Sequence, residues 1–336
     1  MTPTADALAS EEVPALLAPF GEARSVLLAV SGGPDSVALM GLAADAAAAA
    51  PGGPALTVAT VDHGLRATAR AEAEAVLAAA AARGLPARLL AWDGPKPATR
   101  LQERARHHRY ALLCACAREL GATHLATAHT LDDQAETVLF RLLRGSGPAG
   151  LAGMAPRRLR EGIVHLRPFL AVPKARLVAT CRARGWAFVE DPANADPRFA
   201  RARLRGLLPE LAAEGLSAAR LARLARRMAE AEAALGGCAE RCLAEAARAP
   251  GRYDGARILA EPPAVRSRAL DLALTRLGAA PGRPRLERVE RLAEALAEAA
   301  RAGAPLRRTL HGAAIAFDGR DRLTLAPAPP RRGAAG

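Results

Sequence analysis

Aromatic side chains are nearly missing from this chain. Phe, Trp and Tyr together make up 3% of its 336 residues. A core of stacked rings is therefore excluded, and the apolar half of the composition must pack as Leu, Val and Ala, chiefly on helices. Cysteine is also sparse. The five thiols include no C-x-x-C pair: Cys114 and Cys116 stand two apart, and Cys238 and Cys242 stand four apart without further ligands nearby. That spacing excludes a disulfide scaffold and argues against a structural zinc site or a sulfur-transfer centre. No apolar run reaches the length of a membrane span. The first twenty residues are interrupted by Asp6, Glu11, Glu12 and three prolines. They have neither the basic nor the apolar part of a leader peptide. The expectation is a soluble cytoplasmic protein with no membrane partner.

Acidic charge is the next shortage, and it is local. The chain carries a formal net charge of +13. Residues 1–150 hold 13 Lys/Arg against 15 Asp/Glu, a net of −2, whereas residues 151–336 hold 34 against 19, a net of +15. The whole basic excess therefore belongs to the second half, which suits a phosphate-rich partner docked there.

Short apolar runs alternate with helical stretches along the first half. Ser25–Val30, Leu56–Val61, Leu85–Trp92 and His124–Ala128 read as buried strands. Ser36–Ala50, Thr68–Arg83, Leu101–Leu120 and Leu131–Leu143 read as the helices between them. Such alternation predicts an α/β fold, a doubly wound parallel sheet whose ligands bind beyond the carboxyl ends of the strands. Gly145–Gly153 is too rich in glycine for a regular element and reads as an active-site loop. Residues 163–191 add a strand, a helix beginning near Pro173 and a last strand, Ala187–Val189. Residues 202–249 and 262–302 are helical, with a break near Gly215. Arg307–Leu325 reads as a strand hairpin turning near Asp318-Gly319. The expected division is a nucleotide-binding domain over 1–215, a mainly helical C-terminal domain over 216–327 and a disordered tail over 328–336.

The motif richest in chemistry is Ser31-Gly32-Gly33-Pro34-Asp35-Ser36, between the first strand and the first helix. Gly32 and Gly33 let the backbone approach phosphates closely. Ser31 and Ser36 supply hydroxyls, and the helix N-terminus following Pro34 offers N–H groups to an anion. Asp35 in the middle of an anion site is intelligible if a cation accompanies the phosphates, so Asp35 is assigned to Mg²⁺. The loop lacks the lysine and the spacing of a Walker A motif. Its order instead resembles the PP-loop of the N-type ATP pyrophosphatases. That resemblance implies a Rossmann-like fold, use of ATP and cleavage between its α- and β-phosphates.

Further blocks narrow the resemblance. They are Val61–Arg66 (VDHGLR), Gln102–Tyr110 (QERARHHRY), Ala128–Thr137 (AHTLDDQAET), Arg144–Leu151 (RGSGPAGL), Arg167–Leu170 (RPFL) and Glu190–Asp196 (EDPANAD). In this order, over about residues 24–210, they resemble the tRNA(Ile)-lysidine synthetase family. The resemblance implies ATP-dependent attachment of free L-lysine to C2 of the wobble cytidine of a CAU-anticodon isoleucine tRNA. Asp132 and Asp133 then either bind Mg²⁺ or position the incoming ammonium, with Asp133 assigned to the metal alongside Asp35. An acid in a first helical turn also offsets the helix dipole, an alternative reading that weighs more for Asp132. His63, Arg66, Arg106, Arg109, His129 and Glu136 are candidate substrate contacts, with Arg106 and Arg109 on one helix face beside Tyr110. Arg201, Arg203 and Arg205 lie in an arginine-rich segment where the family often has Arg-Asn at the position of Arg201-Ala202. Arg220, Arg223, Arg226 and Arg227 form a helical stripe for tRNA phosphates. Two other readings stand beside this one: tRNA cytidine 2-thiolation, which needs cysteines this pattern lacks, and a non-catalytic nucleotide-binding module, which would not need three acids. The oligomeric state, a homodimer included, stays open.

Overall fold

The computed structural model describes residues 5–64, 68–92, 94, 101–189 and 200–329. Its elements run in chain order as α1 (Val13–Leu17), β1 (Ser25–Ala29), α2 (Pro34–Ala49), β2 (Ala55–Asp62), α3 (Ala69–Ala81), β3 (Ala87–Ala91), α4 (Leu101–Glu119), β4 (His124–Thr127), α5 (Leu131–Leu142), α6 (Pro148–Leu151), β5 (Arg157–Arg160), β6 (Ile163–Leu166) and α7 (Lys174–Ala183). After these come α8 (Ala200–Ala213), α9 (Ala218–Ala246), β7 (Ala247–Ala249), β8 (Arg252–Asp254), α10 (Gly255–Leu259), α11 (Pro263–Leu277), α12 (Leu286–Arg301), β9 (Leu306–Leu310), β10 (Ala313–Phe317) and β11 (Arg322–Pro327).

The first sheet has the order β3-β2-β1-β4-β6-β5. Every pairing is parallel except that of β5 with β6. Strand side chains alternate between the faces, so β1 feeds two cores. Val26 and Leu28 join α1, α2, α3 and α7 on one face, while Leu27 and Ala29 join Tyr110, Leu113, Cys114 and Ala117 of α4 on the other. Helices thus cover both faces, as a nearly all-parallel sheet requires. The strand order reverses between β1 and β4, which makes their carboxyl ends the crevice where such sheets bind ligands. The packing of α2 is tight where it meets the turn after α7. A Cβ on Gly41 would come within 2.4 Å of the Trp186 ring, so any larger residue there must push the ring aside.

Two differences from the sequence reading stand out in this unit. Ala187–Val189 forms no strand; Val189 instead donates its N–H to the carbonyl of Gly32 at 2.9 Å. The edge strand β5 was not foreseen, because RRLR lacks an apolar stripe.

The chain forms two compact units. Residues 1–145 and 153–225 make one, and 146–152 with 226–336 make the other, so the division falls within α9, ten residues beyond the expected position at 215. The second unit is mainly helical, and it carries more sheet than the expected hairpin. An antiparallel sheet of order β7-β8-β11-β10-β9 packs Ile315, Phe317, Leu323 and Leu325 with Leu270 and Leu274 of α11 and Val289 and Leu296 of α12. α12 shows how the sequence directs this. Val289, Leu292, Ala293, Leu296 and Ala299 recur at helical spacing and are buried, leaving the charged residues on the opposite face. Among the described residues, no helix is long and apolar enough to cross a membrane.

Candidate active site

The Ser31–Ser36 loop closes on itself. Ser36 donates its hydroxyl to the Gly33 carbonyl at 2.9 Å and accepts the Ser31 N–H at 3.1 Å. The Ser31 and Ser36 hydroxyls are 3.3 Å apart. Gly32 has φ +84°, a conformation that strains any residue with a Cβ. Gly33 caps α2 in an extended conformation, with Pro34 in the first turn, where its missing N–H costs nothing. A 16-residue helix thus points its N-terminus out of the loop, the arrangement that receives phosphate.

Asp35 sits in that first turn with one carboxylate oxygen 3.6 Å from Lys174 Nζ. Its other oxygen is buried and has no hydrogen-bond partner among the described residues. Burial pushes its pKa from 3.8 up to about 6; Lys174 opposes the rise, and the neighbouring Asp133 and Asp132 add to it. A buried acid with an orphaned oxygen inside a phosphate loop suits a divalent cation that phosphates share, since no three acids or histidines among the described residues form a metal cage on their own.

Asp132 and Asp133 diverge in role. Asp132 accepts the backbone N–H of Lys174 at 2.7 Å, so it caps the start of α7 from another helix. Asp133 caps its own helix: its carboxylate accepts the Thr130 N–H at 2.9 Å, while the Thr130 hydroxyl accepts the Asp133 N–H at 3.3 Å. The first-turn capping that sequence weighed more for Asp132 therefore belongs to Asp133. Gln134 clamps the loop that follows, bonding the Met154 N–H at 2.8 Å and the Met154 carbonyl at 3.0 Å. Glu136 is buried and meets Arg205 Nε at 2.5 Å, which joins two of the expected substrate contacts in one ion pair.

His129 stands at the end of β4, half-buried, with Nδ1 2.7 Å from the Thr127 hydroxyl. His63 follows β2 and meets Trp92 edge-on at 6.2 Å, while Trp92 stacks on His108 at 4.7 Å. The Arg106 guanidinium lies over the Tyr110 ring at 5.2 Å. Arg109 is half-buried, and desolvation draws its pKa down. Arg203 is exposed. Arg66 and the side chain of Arg201 lie outside the described residues, as does the Glu190–Asp196 block. The structure therefore brings Asp35, Asp132 and Asp133 together around α7 and places His129 at the adjacent strand end. Sequence reasoning missed Lys174. A signal was present: only two of the 47 Lys/Arg are lysine, Lys96 and Lys174.

The comparisons with known proteins bear on the fold and the family. The PP-loop domain family matches residues 6–211. The tRNA(Ile)-lysidine synthase of Methylobacterium sp. (strain 4-46) is 58% identical over 321 residues, covering 93% of this chain and 91% of its own length. That of Rhodopseudomonas palustris is 52% identical over 340 residues, covering 98% and 97%. Among solved structures, the U34-tRNA thiolase NcsA from Methanococcus maripaludis with its [4Fe-4S] cluster is similar in fold, with a TM-score of 0.56 and 17% identity over 66% of this chain and 78% of that one. The fold and loop are thus those of an ATP-using PP-loop protein. The chain belongs to the tRNA(Ile)-lysidine synthase family and is, with it, an ATP-dependent ligase.

Proposed function

We propose that this chain adenylates the wobble cytidine of the CAU-anticodon isoleucine tRNA and then joins free L-lysine to it. Cytosine O2 attacks the α-phosphorus of ATP and pyrophosphate departs. The lysine ε-amine, having lost a proton, then attacks C2; the C2–O bond breaks, and AMP leaves with that oxygen. The observation that carries this reading is the phosphate loop with Asp35 inside it and Asp132 and Asp133 beside it, in a chain of this family. Ser31, Gly32, Gly33, Pro34 and Ser36 cradle the phosphates. Asp35 and Asp133 would hold Mg²⁺, which would offset phosphate charge. Asp132 fixes the start of α7, and with it Lys174, against the loop.

Substrate contacts are assigned to His63, Arg66, Arg106, Arg109, His129, Glu136, Arg201, Arg203 and Arg205, and tRNA docking to the basic domain over 216–327. The likeness to the thiolase is one of fold alone. Here Cys114, Cys116, Cys181 and Cys242 are buried, and burial pushes the Cys181 thiol up to about 11, away from the thiolate that sulfur chemistry needs. A tRNA substrate implies a cytoplasmic location. The deciding experiment incubates the protein with labelled lysine, ATP and unmodified CAU-anticodon tRNA of the isoleucine and methionine types. Label should enter only the isoleucine tRNA, with one AMP and one pyrophosphate per lysine. ATP cleavage without lysine in the tRNA would refute the reading.

A further inference from the structure

The Arg-Pro-Phe-Leu block has no part in the chemistry above, yet its arginine starts a chain of hydrogen bonds that ends at the active site. Arg167 Nη2 lies 3.2 Å from His165 Nδ1, His165 Nε2 lies 2.8 Å from Thr127 Oγ1, and Thr127 Oγ1 lies 2.7 Å from His129 Nδ1. His165, Arg167 and Thr127 are all buried. Arg167 is held in place by a second bond, to the Ala155 carbonyl at 2.5 Å.

The polarity of this chain follows from its first member. A guanidinium has donors only, so His165 Nδ1 must accept. A neutral imidazole that accepts at Nδ1 carries its proton on Nε2, and that proton goes to Thr127 Oγ1. The threonine hydroxyl then gives its single proton to its other partner, His129 Nδ1. His129 accepts there, so its own proton resides on Nε2. Both rings are held neutral by their surroundings. Burial, with the guanidinium groups of Arg106, Arg167 and Arg109 and the His165 ring, keeps His129 well below 6.5. Burial, with Arg167, Arg160, Arg106 and Arg109, pushes His165 down to about 3.

We propose that Arg167, through His165 and Thr127, locks His129 as a neutral Nε2–H donor for an oxygen acceptor of the substrate, so that Thr127, His165 and Arg167 are positioning residues of this enzyme. The acceptor is a phosphate oxygen or a base carbonyl, and the inference rests on the ligase reading in giving that donor a substrate. One consequence is chemical: His129 has no free lone pair to take the proton that the lysine ammonium must lose. That proton must therefore leave to a group other than His129.

The test is the ¹⁵N spectrum of histidine-labelled full-length protein, with His129 assigned by substitution. Wild type should show His129 and His165 as Nε2–H tautomers across neutral pH. Arg167→Met should release His165 Nδ1 to take the proton, so that the relay runs in both senses and His129 becomes a mixture. Thr127→Val should uncouple His129 and lower kcat/KM roughly a hundredfold, the scale of a misplaced reacting group; Thr127→Ser should restore both the tautomer and the rate. A non-hydrolysable ATP analogue and a CAU anticodon stem-loop, added separately, identify the acceptor by which one shifts the His129 Nε2 signal. An Nδ1–H or charged His129 in the wild-type spectrum would overturn the proposal, even if the variants fail to fold. So would an Nε2 signal that neither ligand shifts. If lysine transfer fails while the tautomer and a ligand shift are as stated, the ligase reading falls and the relay stands.

Discussion

Asp35→Asn separates what the acid does for the reaction from what it does to the fold. The rise in its pKa from 3.8 to about 6 is about two units, or about 3 kcal/mol at roughly 1.4 kcal/mol per unit. The carboxylate is 20% exposed, so screening by water removes little of this. The sign follows from linkage. The unfolded carboxyl titrates near its ordinary value and the folded one near 6. The cost of burying the charge is therefore absent below about pH 4, grows between about 4 and 6, and is complete above that. The Lys174 ion pair already counts within the shift. Asn carries no charge, so the variant should be more stable than wild type by up to about 3 kcal/mol near pH 7.5 in metal-free buffer. That advantage should shrink at about pH 5. The assay is urea unfolding in EDTA at both pH values, followed by pyrophosphate release with ATP and Mg²⁺. Release should be abolished, and ATP with Mg²⁺ should raise the unfolding midpoint of wild type but not of the variant. A variant less stable than wild type near pH 7.5, or an advantage independent of pH, would refute the electrostatic argument. Near-wild-type turnover at saturating Mg²⁺ would refute the metal role.

Replacing Arg223, Arg226 and Arg227 with Ala should weaken tRNA binding and flatten its salt dependence, the slope falling by roughly 0.7 to 0.9 for each phosphate no longer neutralised, with ATP affinity unchanged. The fold should survive, because the Arg226–Glu230 pair is a one-turn surface contact, both ends of which are about two-thirds exposed, worth at most about 0.5 kcal/mol. Affinity measured across a salt series checks this, and an unchanged slope would move the phosphate contacts to the arginines between 198 and 205. Gly41→Ala should cost about 1–3 kcal/mol through overpacking against Trp186, read as a lower urea midpoint, and Trp186→Leu in the same chain should recover part of it.

What could be read from the sequence was what is local. The βαβ alternation, the loop after β1 and the start of α5 each rest on neighbouring residues, so periodicity and turn chemistry show them. Ala187–Val189 misled because an apolar triplet reads as a strand whether it pairs with a strand or, as here, leaves one N–H for Gly32. β5 was hidden for the opposite reason. It is an exposed edge of four residues, RRLR, formed by a tight turn at Glu161-Gly162, where both residues have positive φ. Within the site, Asp35, Asp132 and Asp133 were visible as acids next to a phosphate motif. Their division of labour was not, because Asp132 is committed by a backbone N–H forty-two residues away. Lys174 and His165 carry no motif of their own, and only the tertiary fold brings them to the strand ends.

The bond from Val189 to Gly32 joins points 157 residues apart, and Lys174 reaches back to Asp35 across 139. On the ribosome, a domain of this kind emerges amino end first, at about 5–20 residues per second. The loop after β1 is therefore synthesised long before the segment that ties it, roughly 8 to 30 seconds at that pace. A nascent chain halted before residue 174 would have its glycines and serines but neither the lysine at Asp35 nor the strap on Gly32. The phosphate loop is thus tied down only after all six strands of the sheet that carries it have been made.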